Sequence, residues 1–297
     1  MRAWWRDLGD LVLPAECGGC GRARTVLCPR CRTALRGTGP CRVRPDPEPP
    51  GLPAVYAAAR YADEARAALL AHKERGVLAL AGPLGTALAG AVRAGLREAW
   101  ADGGAARPAG ARGPVLLVPV PSARRAVRAR GHDPARRIAL AAAGELRRTG
   151  TSARVCAVLR QRHAVADQSG LGARERRDNL AGALRVAPGG ARLLGGREPV
   201  VLVDDLMTTG ASLAEAARAV RAAGAAPGEH GTGADPCRTA RSAVYPPAAW
   251  EGREERKTGS PEADPYGGDD VNREVICEVF CAAVIAASPD AFEINRN

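Results

Sequence analysis

The chain has 297 residues, enough for one sizeable α/β core with a small accessory unit, and its 25% charged residues are those of a soluble globular protein. Hydrophobic residues make up 46% but aromatic ones only 3%, so the core has to be built from Ala, Val and Leu. The formal charge of +11 points to an anionic partner, a phosphorylated metabolite or nucleic acid, with a solvated basic surface as the plainer account.

Nearly all of that charge is Arg, because Lys73 and Lys257 are the only lysines. The opening MRAWWRDLGDLVLP carries acidic interruptions and no cleavable apolar core, so no secretory leader is expected. The longest uncharged run, Val77 to Val92, falls short of the ~20 residues that span a bilayer and predicts a buried helix. A cytoplasmic protein without membrane insertion is expected. There, nine cysteines mean metal ligands or free thiols rather than disulfides.

In chain order, residues 1–45 come first as a zinc-binding module. Trp4, Trp5, Leu8 and Leu11 recur at helical spacing and read as a small core over the cysteines, with partner docking second. CGGCGRARTVLCPRC then sets Cys17 with Cys20, and Cys28 with Cys31, as two CxxC pairs. Such pairs can hold one tetrahedral Zn²⁺ from two sides, and Gly18, Gly19 and Gly21 let the backbone turn tightly around it. The short gap predicts a compact pair of knuckles, with Cys41 as a substitute ligand. Four thiolates leave no open position, which argues for a structural rather than a catalytic site, with redox or iron–sulfur chemistry, or nothing bound, as the lesser readings. Cys156, Cys237, Cys277 and Cys281 lack ligand spacing and read as inert.

A proline-dense linker, 46–54, leads into an α/β domain over 55–224. VYAAARYA predicts a strand, ARAALLAHKERG a helix ending near Gly76, and residues 77–100 a second helix. A Gly/Ala/Pro loop covers 102–113. VLLVPVP (115–121) predicts a strand, a helix starts near Asp133, and VCAVL (155–159) reads as a third strand. Residues 160–182 show no useful period. VVLVDD is a fourth strand, and SLAEAARAVRAA a helix with Leu213, Ala216, Ala217 and Val220 on one face. Apolar strands alternating with helices imply a parallel sheet covered on both sides. Residues 225–280 break the pattern and read as a disordered insertion, after which 281–297 supply a final strand and a tail.

The stretch VVLVDDLMTTGASL raises the central chemical question, since it sets Asp204 beside Asp205 at the end of an apolar strand. A Walker B strand would need a Gly-rich loop ending in Gly-Lys-Ser/Thr, and the chain has none. A phosphatase with an Asp nucleophile would need D-x-D. What remains is a sugar phosphate. The strand delivers two carboxylates to the carboxyl edge of a parallel sheet, where α/β ligands bind. Thr208, Thr209, Gly210, Ala211 and Ser212 follow with backbone N–H groups, hydroxyls and a helix start suited to a phosphate dianion. Against this, Ser212-x-x-Glu215 also fits a capping box, and paired Asp can be a solvated strand end. His132-Asp133 is weak evidence for a metal phosphohydrolase, and His72 and His163 read as ordinary surface or loop residues.

VVLVDDLMTTGASL closely resembles the phosphoribosyl pyrophosphate (PRPP) signature of type I phosphoribosyltransferases. The CxxC pairs, HKERG (72–76), VPVPSARRAVRARGHDPARRIA (118–139) and DQSGLGARERRDNLAGAL (167–184) are similar to the ComF competence-associated subfamily, in the same order. The resemblance implies a type I phosphoribosyltransferase-like fold, a twisted parallel sheet flanked by helices, with a small N-terminal four-cysteine zinc module. It implies that Asp204 and Asp205 contact ribose hydroxyls and that 208–212 bind the 5-phosphate. Pyrophosphate would be held by the loop after the first sheet strand, with Arg124, Arg125, Arg128 and Arg130, and by a mobile basic loop with Arg174, Arg176 and Arg177.

The implied function is PRPP binding with Mg²⁺ and transfer of a phosphoribosyl group to an acceptor that no motif specifies. The alternative it implies is a non-catalytic adaptor in DNA uptake that meets single-stranded DNA or a DNA-processing protein such as a helicase. The absence of aromatic residues among the basic stretches argues against base stacking and leaves phosphate-backbone contacts.

Overall fold

A computed structural model describes residues 16–102, 113–162, 180–196, 198–225 and 279–296, all of which belong to one compact unit. The expectations for Trp4, Trp5, Leu8, Leu11, His163, Cys237, Cys277, Arg174, Arg176 and Arg177, and for most of 225–280, lie outside the described residues.

Helix α1 (Pro29–Ala34) and strand β1 (Cys41–Val43) close the cysteine segment. Next come β2 (Val55–Arg60), α2 (Asp63–Lys73), a short 3₁₀ turn and the long α3 (Ala81–Asp102). Strand β3 (Val115–Pro119) leads to α4 (Arg124–Arg130) and α5 (Pro134–Arg148). The short β4 (Ala153–Val155), β5 (Leu159–Gln161) and β6 (Leu184–Val186) follow, then α6 (Gly190–Leu194). Then come β7 (Val200–Met207), α7 (Ala211–Ala225) and β8 (Val279–Ala287), followed by a 3₁₀ segment (Pro289–Arg296).

Six strands form one sheet in the order β1-β2-β8-β7-β3-β4. From β2 to β4 all neighbours run parallel, as the uninterrupted apolar runs predict, and β1 adds an antiparallel edge. The pleat sorts the side chains into two cores. Val115, Leu117, Val201, Val203, Cys281 and Ala283 face α3 and α5, while Leu116, Val118, Val200, Leu202, Ala282 and Val284 face α7. Helix α3 lies so close to the sheet that a Cβ at Gly95 would stand 2.7 Å from Cys281 Sγ and 2.8 Å from the Tyr56 ring. The stretch Leu78–Ala101 is long and apolar enough to cross a membrane, but most of it is buried inside the fold. That agrees with the buried helix expected there.

Three boundaries differ from the sequence reading. VCAVL is not one strand: β4 ends at Val155 and β5 begins at Leu159, because the chain leaves the main sheet between them to build a separate two-stranded antiparallel sheet, β5-β6. The basic segment after β3 is not a loop throughout, since Arg124–Arg130 forms a helix, stopped by Gly131 at φ 74°. The last strand starts at Val279, two residues before the expected position, and it lies in the middle of the sheet.

The order of crossovers locates the ligand-binding edge. From β3 the chain moves outward to β4; from β7 it moves the other way to β8. The neighbours β3 and β7 therefore flank a topological switch point, and by the general rule for open α/β sheets the ligand crevice would lie beyond their carboxyl ends.

Candidate functional site

Strand β7 outruns β3. Their ladder ends with Pro119 opposite Val203, after which Val120 N–H donates to Val203 O at 2.9 Å. On its other flank β7 stays paired with β8 to Met207 opposite Ala287. Residues Asp204–Met207 thus stand beside the crevice while β8 fixes their backbone.

The two carboxylates diverge. Asp204 is paired with Val284, whose side chain lies in the core beneath α7, so Asp204 shares that face. Asp205 faces the opposite layer, where it is 7% exposed and meets Lys73 Nζ, from the end of α2, at 3.0 Å. Asp204 Oδ1 accepts from the Asp205 N–H at 2.8 Å. Burial, and then the charge of Asp205, hold the Asp204 carboxyl well above the usual carboxylate range, against the pull of Lys73. Burial works to lower the Lys73 ammonium, but Asp205 and Asp204 together raise it above the ordinary lysine value.

The turn after β7 has the form its composition predicts. Thr208 is exposed, Thr209 half-buried, and Gly210 buried at φ 73°. A left-handed residue is required there, and a Cβ would stand 3.1 Å from Leu52 and 3.3 Å from Pro45. Helix α7 starts at Ala211, with Ala214 N–H donating to Gly210 O, so the N–H groups of its first turn have no partner within the helix.

The arginines expected to line the site divide. Arg130 is held by Glu74, with Nη2 donating to both carboxylate oxygens at 2.8 and 3.1 Å. Arg125 and Arg128 are exposed on α4, and Arg124 begins that helix. Asp133 caps α5, its Oδ1 accepting from Arg136 N–H at 3.2 Å and Ser122 Oγ at 3.3 Å.

Two residues of the neighbourhood escape the sequence reading. Lys73 lacks the Gly-rich frame of a nucleotide-binding lysine, yet it is the cation that meets Asp205. One of only two lysines among 43 basic residues is a signal that composition does offer. His72 is neither surface nor loop: it is 1% exposed within α2. Its Nδ1 lies 3.2 Å from Val77 O, its ring meets His132 edge-on at 5.8 Å, and the Nε2 of each ring is buried without a partner. Burial, then His132 and Arg137, lower the His72 pKa and keep it neutral.

The four N-terminal cysteines converge. The thiol sulfurs of Cys17, Cys20, Cys28 and Cys31 all lie within 4.8 Å of one another, the single such group of three or more metal-binding side chains among the described residues. Cys41 is not among them; it sits in β1. Cys28 N–H donates to Cys17 Sγ at 3.3 Å. Burial opposes charge on Cys17, but the N–H groups of Cys20, Cys28 and Gly19 outweigh it and bring its pKa to about 6. Burial and the neighbouring sulfurs push Cys31 the other way. The close approach needs glycine, since a Cβ at Gly19 would stand 2.7 Å from Cys31 Sγ. Four sulfurs in this arrangement can hold a metal such as zinc. The cluster is tied to α2 at both ends, by Arg30 to Glu64 and by Arg75 Nη2 to Gly18 O at 3.4 Å. Cys156 and Cys281 are buried free thiols, as expected of inert cysteines.

Comparison with protein-family models gave no match, and comparison with curated proteins gave none either.

Proposed function

We propose that the crevice beyond β3 and β7 binds PRPP and that the protein is a phosphoribosyltransferase of the type I kind. One observation carries the reading: the adjacent Asp204 and Asp205 stand at a topological switch point and lead directly into a left-handed glycine turn and a helix start. Diverging carboxylates can accept hydrogen bonds from vicinal ribose hydroxyls, with Lys73 holding Asp205 in place. The N–H groups and hydroxyls of 208–212 suit the 5-phosphate. Arg125 and Arg128 are free to meet pyrophosphate on the β3 side, whereas Arg130 is engaged with Glu74. When bound with PRPP, magnesium would supply neutralisation of pyrophosphate charge. The chain supplies orientation and fixed charge around a cationic sugar.

On the same reading the cysteine cluster holds one structural Zn²⁺ that braces α2, the helix carrying Lys73. Calorimetry tests the ligand assignment. Mg²⁺-PRPP should bind the wild type and not Asp204→Asn/Asp205→Asn; equal binding, or none in either, sinks it. Pyrophosphate release across a panel of free bases then separates transferase from binding protein.

A second reading is favoured by the exposed Arg22, Arg24, Arg32 and Arg36 around the cysteine cluster, which would suit the phosphate backbone of DNA. A salt-dependent gel shift that survives the double Asp substitution would support this adaptor role.

A further inference from the structure

Ser212-x-x-Glu215 fits a capping box in sequence, but the Glu215 carboxylate, 6% exposed, is used otherwise. Its Oε1 accepts from the backbone N–H of Leu184 at 2.9 Å. Arg218 Nε and Nη2 donate to its Oε2 and Oε1 at 2.7 and 2.8 Å, and the same Nη2 donates to Leu184 O at 2.9 Å. Both polar main-chain groups of Leu184 therefore end on α7. Burial raises the cost of the Glu215 charge, but Arg218 and the N–H groups of Leu184 and Gly182 outweigh it and keep the carboxyl below its usual range.

What this clamp holds matters more than the clamp itself. Residues 180–184 lead into β6, and within them Leu180 and Ala183 form a small buried cluster with Ala211. Ala211 opens α7 immediately after the left-handed Gly210. On its other side the same turn rests against Leu52 and Pro45. The turn is gripped between two segments that have no covalent reason to be there, and Glu215 with Arg218 secures one of them.

We propose that Glu215 is a positioning residue for the turn 208–212: it fixes 180–184 as a wall behind Ala211 and so sets the direction of the N–H groups that begin α7. The proposal rests on the reading of that turn as the 5-phosphate site. In the full chain, Glu215→Ala should weaken ribose 5-phosphate about 10-fold and speed amide exchange at Ala214, whose N–H donates to Gly210 O across the turn, by a similar factor. Glu215→Gln, whose carbonyl still accepts from Leu184 N–H, should recover most of both effects, and Arg218→Ala should show a weaker version of them.

Faster exchange at 182–184 with wild-type exchange at Ala214 overturns the proposal, as does a Gln variant that rescues neither. If Glu215→Ala fails to fold, Arg218→Ala decides by the same exchange readout. A wild type that does not bind ribose 5-phosphate counts against the assigned ligand, while exchange at Ala214 still judges the positioning role.

Discussion

The cysteine cluster and the acidic strand end both crowd like ionisable groups within a few ångströms, and they resolve the crowding in opposite ways. Around Cys17, Cys20, Cys28 and Cys31 the backbone folds inward so that four sulfurs point to one centre. At Asp204 and Asp205 the strand pleat sends neighbours to opposite faces, one half-buried on the α7 face and one buried against Lys73. Convergence makes a closed site that a single metal can saturate. Divergence leaves acceptors on both sides of a strand that ends at an open crevice. The first arrangement suits permanent structure and the second suits a ligand that comes and goes.

The largest effect expected from this contrast is loss of the metal. One zinc per chain is predicted, lost in Cys17→Ser/Cys28→Ser. A ligand present at ~1,000 times its Kd contributes about 4 kcal/mol, and each kcal/mol moves Tm by ~2–4 °C in a domain of this size. Elemental analysis with scanning calorimetry should therefore find a fall of roughly 10 °C on chelation. A metal-free chain with unchanged Tm would erase the distinction between the two regions.

Next comes Lys73→Met, which strands Asp205. Breaking a buried pair costs ~3–5 kcal/mol, and the partial exposure of Lys73 reduces that to about 2 by urea unfolding. Adding Asp205→Asn should return much of it in a double-mutant cycle. Because the folded Lys73 pKa is raised, the pair's contribution is present throughout the neutral range and is lost only as pH rises through that raised value. A midpoint for Lys73→Met equal to wild type would mean the two regions do not differ in how they hold charge.

Gly210→Ala sharpens the comparison further. Forcing a side chain to φ 73° against Leu52 should cost about 1–2 kcal/mol. Affinity for ribose 5-phosphate should fall by more than that stability loss alone would cause.

The smallest expected effect has the opposite sign. Asp204 has a folded pKa above its unfolded one, so the folded state holds a proton that the unfolded state releases. Its ionisation destabilises the fold as pH rises through the window between the two values. Asp204→Asn keeps the acceptor for Asp205 N–H and removes the charge, so it should raise Tm by a few degrees at neutral pH. That gain should vanish below the unfolded aspartate range. A variant less stable than wild type at pH 7 would show that the charge at 204 is not strained.

How far the sequence reaches depends on whether the signal is local. The parallel sheet is legible because each strand is an apolar run between helical periods, and the CxxC pairs because four thiols need fixed spacing. The VVLVDD strand and its glycine turn follow from adjacent residues. Lys73 does not, since 132 positions of chain separate it from Asp205 and only the packing of α2 over the sheet joins them. Glu215 misleads for a related reason: its local motif supplies a sufficient partner in Ser212, while its actual partners are Leu184 and Arg218. VCAVL misleads because a continuous apolar run gives no sign that its ends serve two different sheets.

Strand β8 has a consequence of another kind. It is the last strand in chain order among the described residues, yet it lies between β2 and β7 in the middle of the sheet. While the chain is being synthesised, β1-β2 and β7-β3-β4 can form only as two fragments, each with a bare, apolar edge awaiting residues 279–287. Such edges are templates for association between nascent chains. A chain cut short before Val279 would lack not its tail but its keystone, and its fate should be aggregation rather than a smaller folded protein.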